Sequence, residues 1–121
     1  MKRILIIDDE PDLRDILREL LEKEGYQVDT ASDGQSGYQM ISQGGHDLVL
    51  LDIIMPKLDG ITVLRELQKN PPSVPPGKIV MLSVLDQTDF VKTSLTLGAA
   101  GYLNKSVGNP QELVSQIKSL I

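Results

Sequence analysis

Apolar positions along the chain recur with two different periods, and the two periods alternate. Ile4-Leu5-Ile6-Ile7, Leu48-Val49-Leu50-Leu51 and Ile79-Val80-Met81-Leu82 are short unbroken apolar runs, the pattern of strands buried on both faces. Residues 27–31 alternate polar and apolar, a less buried strand, and Tyr102-Leu103 reads as a short fifth one. Between these runs the spacing lengthens. Leu13, Ile16, Leu17, Leu20 and Leu21 form one stripe of a helix that opens at Pro11 and stops at Gly25. Ser32-Asp33-Gly34 is a turn that can also cap a helix over 35–43, one that Ser36 and Gly37 dilute. Asp59 precedes a stripe of Ile61, Val63, Leu64 and Leu67. Asp86 with Asp89 opens a helix over 88–97, weakly striped and rich in Thr and Ser. Asn109-Pro110-Gln111-Glu112 starts the last helix, with Leu113, Val114, Ile117, Leu120 and Ile121 as its buried face. The four prolines between Asn70 and Gly77 exclude regular structure there and make a stiff connection. Strands alternating with helices in this way predict an α/β domain: a doubly wound, five-stranded parallel sheet joined by right-handed crossovers.

That architecture decides where the polar residues matter. In a parallel sheet every strand ends on the same rim, and open α/β sheets place their chemistry there. Asp8 and Asp9 end the first run, Asp52 the third and Ser83 the fourth, while Lys105 follows the fifth. These five side chains are expected to converge on one cleft. Crowded carboxylates repel one another unless a cation relieves them, and oxygen-only ligands suit Mg²⁺ or Mn²⁺. A lysine and a hydroxyl beside a metal-bound aspartate can neutralise and hydrogen-bond a phosphoryl group. The aspartate itself is a competent nucleophile, giving an aspartyl phosphate. Neither a Walker loop nor a dinucleotide glycine fingerprint is present, so no nucleotide is implied.

Composition narrows the function further. The 121 residues make one domain, taken as 1–121, and with one Phe, three Tyr and no Trp its core must be aliphatic. A net charge of −5 with no basic run argues against a nucleic-acid surface. The absence of Cys leaves no disulfide framework and fits a reducing compartment. The first apolar run is too short for a signal peptide and nothing reaches the length of a membrane span, so the expected location is the cytoplasm. His46, the only histidine, cannot complete a metal site with a second imidazole and is expected in a solvated loop.

Ile-Leu-Ile-Ile-Asp8-Asp9-Glu10, Leu-Leu-Asp52-Ile-Ile-Met55-Pro56-Lys-Leu-Asp59-Gly60, Met-Leu-Ser83 and Gly98-Ala-Ala-Gly101-Tyr102-Leu-Asn-Lys105 occur in that order over essentially the whole chain. In this combination the sequence resembles the receiver domain of two-component response regulators. The resemblance implies a flavodoxin-like sheet of order 2-1-3-4-5. It implies that Asp52 accepts a phosphoryl group from a histidine kinase or a histidine phosphotransfer protein. It implies that Asp8, Asp9, Asp52 and the backbone carbonyl of Ile54 hold Mg²⁺, and that Ser83 and Lys105 bind the phosphoryl oxygens. Tyr102 would turn inward on activation, and Ile54 and Leu85 would tune hydrolysis. Both are apolar and offer nothing to orient water, so loss of the phosphoryl group is expected to be slow. Lys105 precedes Ser106 where the family usually has proline, so a trans bond and a displaced Lys105 are expected. Val84 is bulkier than the residue the family favours there.

Two other functions would use the same residues. A degenerate receiver could serve as a protein-binding module without phosphorylation, a reading that Ser106 and Val84 keep open. A phosphatase turning over an aspartyl phosphate needs an acid two residues after the nucleophile, as in haloacid-dehalogenase-type hydrolases, and that place holds Ile54. The chain is therefore expected to be a switch and not a turnover enzyme. Its downstream target or output domain, and the choice between monomer and phosphorylation-dependent dimer, are left open by the sequence.

Overall fold

The period-two alternation within each strand sorts the core onto the two faces of one sheet. A computed structural model describes residues 1–55, 57–84, 88–106 and 109–121. The elements run β1 (Arg3–Ile7), α1 (Pro11–Lys23), β2 (Gln27–Ala31), α2 (Gly34–Gln43), β3 (Leu48–Asp52), α3 (Gly60–Lys69), β4 (Lys78–Ser83), α4 (Thr88–Thr96), β5 (Gly101–Asn104) and α5 (Pro110–Leu120). The strands lie parallel in the order β2-β1-β3-β4-β5, the doubly wound topology expected of a flavodoxin-like chain.

Ile4, Ile6, Leu48, Leu50, Val80 and Leu82 face one side, where Leu17 and Leu21 of α1 and Leu113, Val114 and Ile117 of α5 cover them. Leu5, Ile7, Val49, Leu51 and Met81 face the other, under α2, α3 and α4. Side chains buried on both faces are what a central parallel strand requires, and β3 is buried along its whole length.

The helix ends follow the sequence. Asp33 accepts from the Ser36 amide, Asp59 from Thr62 and Asn109 from Glu112, each at 2.8–2.9 Å. Helix α4 has weaker local support. Thr93, Ser94 and Thr96 each turn a hydroxyl back onto the carbonyl four residues earlier, a bond that competes with regular helix geometry. The expected caps at Asp86 and the hydrolysis-tuning position Leu85 lie outside the described residues.

Two expectations are corrected. Ile16, placed in the buried stripe of α1, is exposed. The helix rests on the sheet through Leu17 and Leu21, leaving Leu13 and Leu20 only half-buried. His46 is buried rather than solvated: its Nε2 lies 2.8 Å from Asp29 Oδ2. The chain on either side is pinned over the amino-terminal rim of the sheet. Asp47 accepts from the Arg3 amide and the Gly77 amide donates to the His46 carbonyl. The enclosed imidazole finds Asp29 on β2, which also pairs with Arg3 at 2.9 Å.

Candidate functional site at the carboxyl ends of the strands

Strand parity assembles the site. Asp8 follows Ile4 and Ile6, Asp52 follows Leu48 and Leu50, and Lys105 follows Leu103, so all three continue the side of the sheet that α1 and α5 cover. At the strand exits that side is no longer filled by apolar groups, and the three side chains meet. Lys105 Nζ lies 2.7 Å from Asp52 Oδ2 and 3.1 Å from Asp8 Oδ2. Asp8 is 1% exposed, and the Lys105 side chain 6%.

The surrounding backbone holds these groups in place. The Lys105 amide donates to the Ser83 carbonyl at 2.8 Å, extending the β4–β5 pairing to the site residue itself. Asp8 Oδ1 accepts from the Glu10 amide at 2.8 Å, and Arg14 of α1 donates to the Asp8 carbonyl at 2.7 Å, which fixes the turn leaving β1. The Ile53 amide donates to the Leu82 carbonyl and the Ile53 carbonyl accepts from Gly60 at the start of α3. A Cβ on Gly60 would run into the carbonyl oxygen of Asp52, so only glycine lets α3 begin this close to the acid-bearing strand end.

Burial dominates the electrostatics. It pushes the Asp52 carboxyl up to about 7, against the hydrogen bond from Lys105, and the charges of Asp8 and Asp9 push the same way. Asp8 is raised by burial too, although the Glu10 amide and Lys105 oppose the shift. Burial alone would lower Lys105, but its bonds to Asp52 and Glu10 outweigh that and hold it firmly protonated. Three carboxylates thus face one ammonium, and the cluster keeps an excess of negative charge.

The expected residues do not all converge. Asp9 is exposed, and it is Glu10 whose carboxylate oxygen lies within 4.8 Å of those of Asp8 and Asp52. Glu10 also pairs with Lys105 at 2.9 Å. Glu10 was not among the expected site residues, although a third consecutive acid ahead of Pro11 on the same rim was the available signal. Ser83 has the opposite parity from Leu82; it is buried and donates to the Leu103 carbonyl at 3.4 Å. The Lys105–Ser106 peptide is trans, as expected, yet Lys105 is not displaced: it reaches both aspartates. Ile54, Val84 and Tyr102 are exposed; Ile54 stands two residues beyond Asp52 in the chain, and Tyr102 lies on β5.

The donor set fits a hard dication. The oxygens of Asp8, Glu10 and Asp52 are close enough to share one ion, all are carboxylate, and the buried excess charge disfavours the cluster without a counter-ion. Asp8 and Asp52 are the two buried carboxylates of this set that would help hold Mg²⁺.

Comparison with known proteins gives a consistent picture. The family model of the response regulator receiver domain matches residues 4–118. The chain is 41% identical over 120 residues to a probable transcriptional regulator, ycf27, of Guillardia theta, covering 99% of this chain and 45% of that protein. It is 36% identical over 120 residues to the alkaline phosphatase synthesis transcriptional regulatory protein PhoP of Bacillus subtilis, covering 99% of this chain and 48% of that one. The chain therefore spans about half the length of the curated relatives it matches. Among solved structures, the response regulator TrrA of Thermotoga maritima, in complex with Mg²⁺-BeF, superposes over the full length of both chains with a TM-score of 0.80 and 38% identity. A CheY-like receiver domain protein of Methanospirillum hungatei gives 0.83 and 32%, covering 99% of this chain and 93% of that one.

Proposed function

The chain belongs to the response regulator receiver domain family, and on that premise we propose that residues 1–121 form one receiver whose switch is thrown by phosphorylation of Asp52. The observation that carries this reading is the burial of Asp52 at a strand exit, 2.7 Å from Lys105 and beside Asp8. An aspartate that only capped a turn would have no reason to be buried with a second acid and a lysine.

In the transfer, an Asp52 carboxylate oxygen forms a bond to phosphorus as the bond from phosphorus to the donor imidazole breaks. The electron pair of the broken bond stays with the imidazole, which takes up a proton. Lys105, in contact with Asp52, would neutralise the incoming oxygens, and Ser83 at the end of β4 on the same rim would supply a hydroxyl to them. Mg²⁺ or Mn²⁺ held by Asp8, Asp9, Asp52 and the Ile54 carbonyl would supply positive charge that keeps Asp52 ionised and offsets the charge of the phosphoryl group. Tyr102, exposed on β5, is the aromatic whose inward turn would report the change.

The phosphoryl donor is a histidine kinase or a histidine phosphotransfer protein. The relatives are named transcriptional regulators and are about twice as long, so the output is control of transcription through an attached or separate partner, not direct nucleic-acid binding by this acidic domain. No helix among the described residues is long and apolar enough to cross a membrane, and the site of action is the cytoplasm. Ile54 leaves the phosphatase reading without its acid, so the domain is a stoichiometric acceptor and not a turnover enzyme.

Incubation with Mg²⁺ and acetyl phosphate, followed by intact mass, tests the proposal. One phosphoryl adduct is expected on the wild type and none on Asp52→Asn. No adduct on a folded, Mg²⁺-binding wild type would favour the phosphorylation-independent binding module instead.

A further inference from the structure

Three carboxylates crowd the Lys105 ammonium: Asp52 and Asp8 accept hydrogen bonds from it at 2.7 and 3.1 Å, and Glu10 forms an ion pair with it at 2.9 Å. An incoming phosphoryl oxygen therefore has to compete with three carboxylates for this ammonium. Asp8 and Asp52 are buried at strand ends and fixed by the sheet. The Glu10 side chain is 58% exposed. It stands at the N-cap position of α1 without making a capping bond to that helix, so nothing in α1 is lost when it moves.

We propose that Glu10 is a latch on Lys105: its ion pair engages the ammonium that the phosphoryl group needs, and phosphorylation of Asp52 is faster when Glu10 swings out. The inference rests on Asp52 being the phosphoacceptor. Glu10 is a positioning residue here, since it acts through Lys105. Withdrawal of the latch also carries one negative charge away from the mouth of the cleft as a dianionic group enters, so the two events favour each other. Because the Glu10 amide is bonded to Asp8 Oδ1, the backbone of the latch stays anchored while its carboxylate moves.

The test uses the full chain at saturating Mg²⁺, with adduct formation from acetyl phosphate followed by intact mass. Glu10→Gln and Glu10→Ala are expected to react about two- to fivefold faster than wild type, the range that release of one solvent-facing ion pair allows. In a Lys105→Met background the same changes are expected to give no gain. The affinity for beryllofluoride, measured calorimetrically because the chain has no tryptophan, should rise by the same factor. Equal rates in wild type and both variants overturn the latch, leaving Glu10 a solvated ion pair. A gain that persists without Lys105 overturns it also, since Glu10 would then act as a bare charge. A loss of Mg²⁺ affinity of about tenfold or more makes Glu10 a metal ligand and overturns it too. No adduct on wild type defeats the Asp52 reading itself, and the latch with it, whatever the Glu10 variants do.

Discussion

At the amino-terminal rim of the sheet Asp29 sits between Arg3 and His46 at 2.9 and 2.8 Å, whereas at the carboxyl-terminal rim a single lysine faces three carboxylates. The first cluster is close to balanced. Its carboxyl is held below the usual range by the His46 hydrogen bond, outweighing partial burial, with Arg3 adding to the effect. The second keeps an excess of negative charge, and its central carboxyl is pushed the other way, to about 7. A balanced rim stabilises the fold. An unbalanced one spends stability to stay receptive to a cation and a phosphoryl group, the usual trade at a functional site. Substitutions at the two rims should therefore move stability in opposite directions.

The largest effect is expected at Gly77. A Cβ there would run into the carbonyl oxygen of Asp47 while the Gly77 amide is bonded to His46, so backbone must shift and the balanced rim opens. Gly77→Ala should cost about 2–4 kcal/mol in urea unfolding and leave Mg²⁺ affinity unchanged; a neutral result would mean the rim adjusts freely. Asp52→Asn should do the reverse. In metal-free protein it is expected to raise stability by about 1–2 kcal/mol, and the rise in Tm that Mg²⁺ gives the wild type should largely disappear. A clear loss of stability would show that the Lys105 pairing outweighs the crowding. At Asp29 the effect is smaller, since the ion pair is partly solvated. Asp29→Asn should cost about 1 kcal/mol at pH 7. Its folded carboxyl lies below the unfolded value of about 3.9, so the contribution is complete above that pH and is lost as pH falls through the folded value. Wild type and variant should accordingly converge in acid, and a gap that stays constant down to pH 2 would rule out the ionised pair as its source. The smallest change in stability, within about 0.5 kcal/mol, is expected for Ile54→Asn, whose side chain is exposed. There the readout is kinetic. An amide able to orient water should shorten the lifetime of the phosphoryl adduct several-fold, and an unchanged lifetime would remove Ile54 as a tuning position.

Residues that act through the backbone period were legible in the sequence; those that depend on loop geometry were not. Ile4-Leu5-Ile6-Ile7 and Leu48-Val49-Leu50-Leu51 announce strands, and the same alternation carries Asp8 and Asp52 to one side of the sheet. Lys105 was placed correctly on the rim but expected to be displaced, because the effect of Ser106 on the following loop could not be weighed against two nearby carboxylates. Glu10 lay just past the strand, where period-two reasoning ends and a turn fixed by Arg14 and the Asp8 carboxylate decides direction. His46 was misread for a related reason. It is held by Asp29 and Gly77, partners from two separate segments, while Arg3 bonds its neighbour Asp47, and no local pattern contains them.

Asp8 and Lys105 meet across a separation of 97 residues, and β5, which delivers the lysine, is an edge strand near the end of the domain. As the chain is synthesised, Asp8 and Asp52 are made long before their lysine exists, and β5 cannot join the sheet until it has left the ribosome. The cluster is thus completed late in synthesis, with only α5 of the elements described here still to follow. A chain that stops before β5 has the two aspartates of the cluster but not the lysine that holds them together.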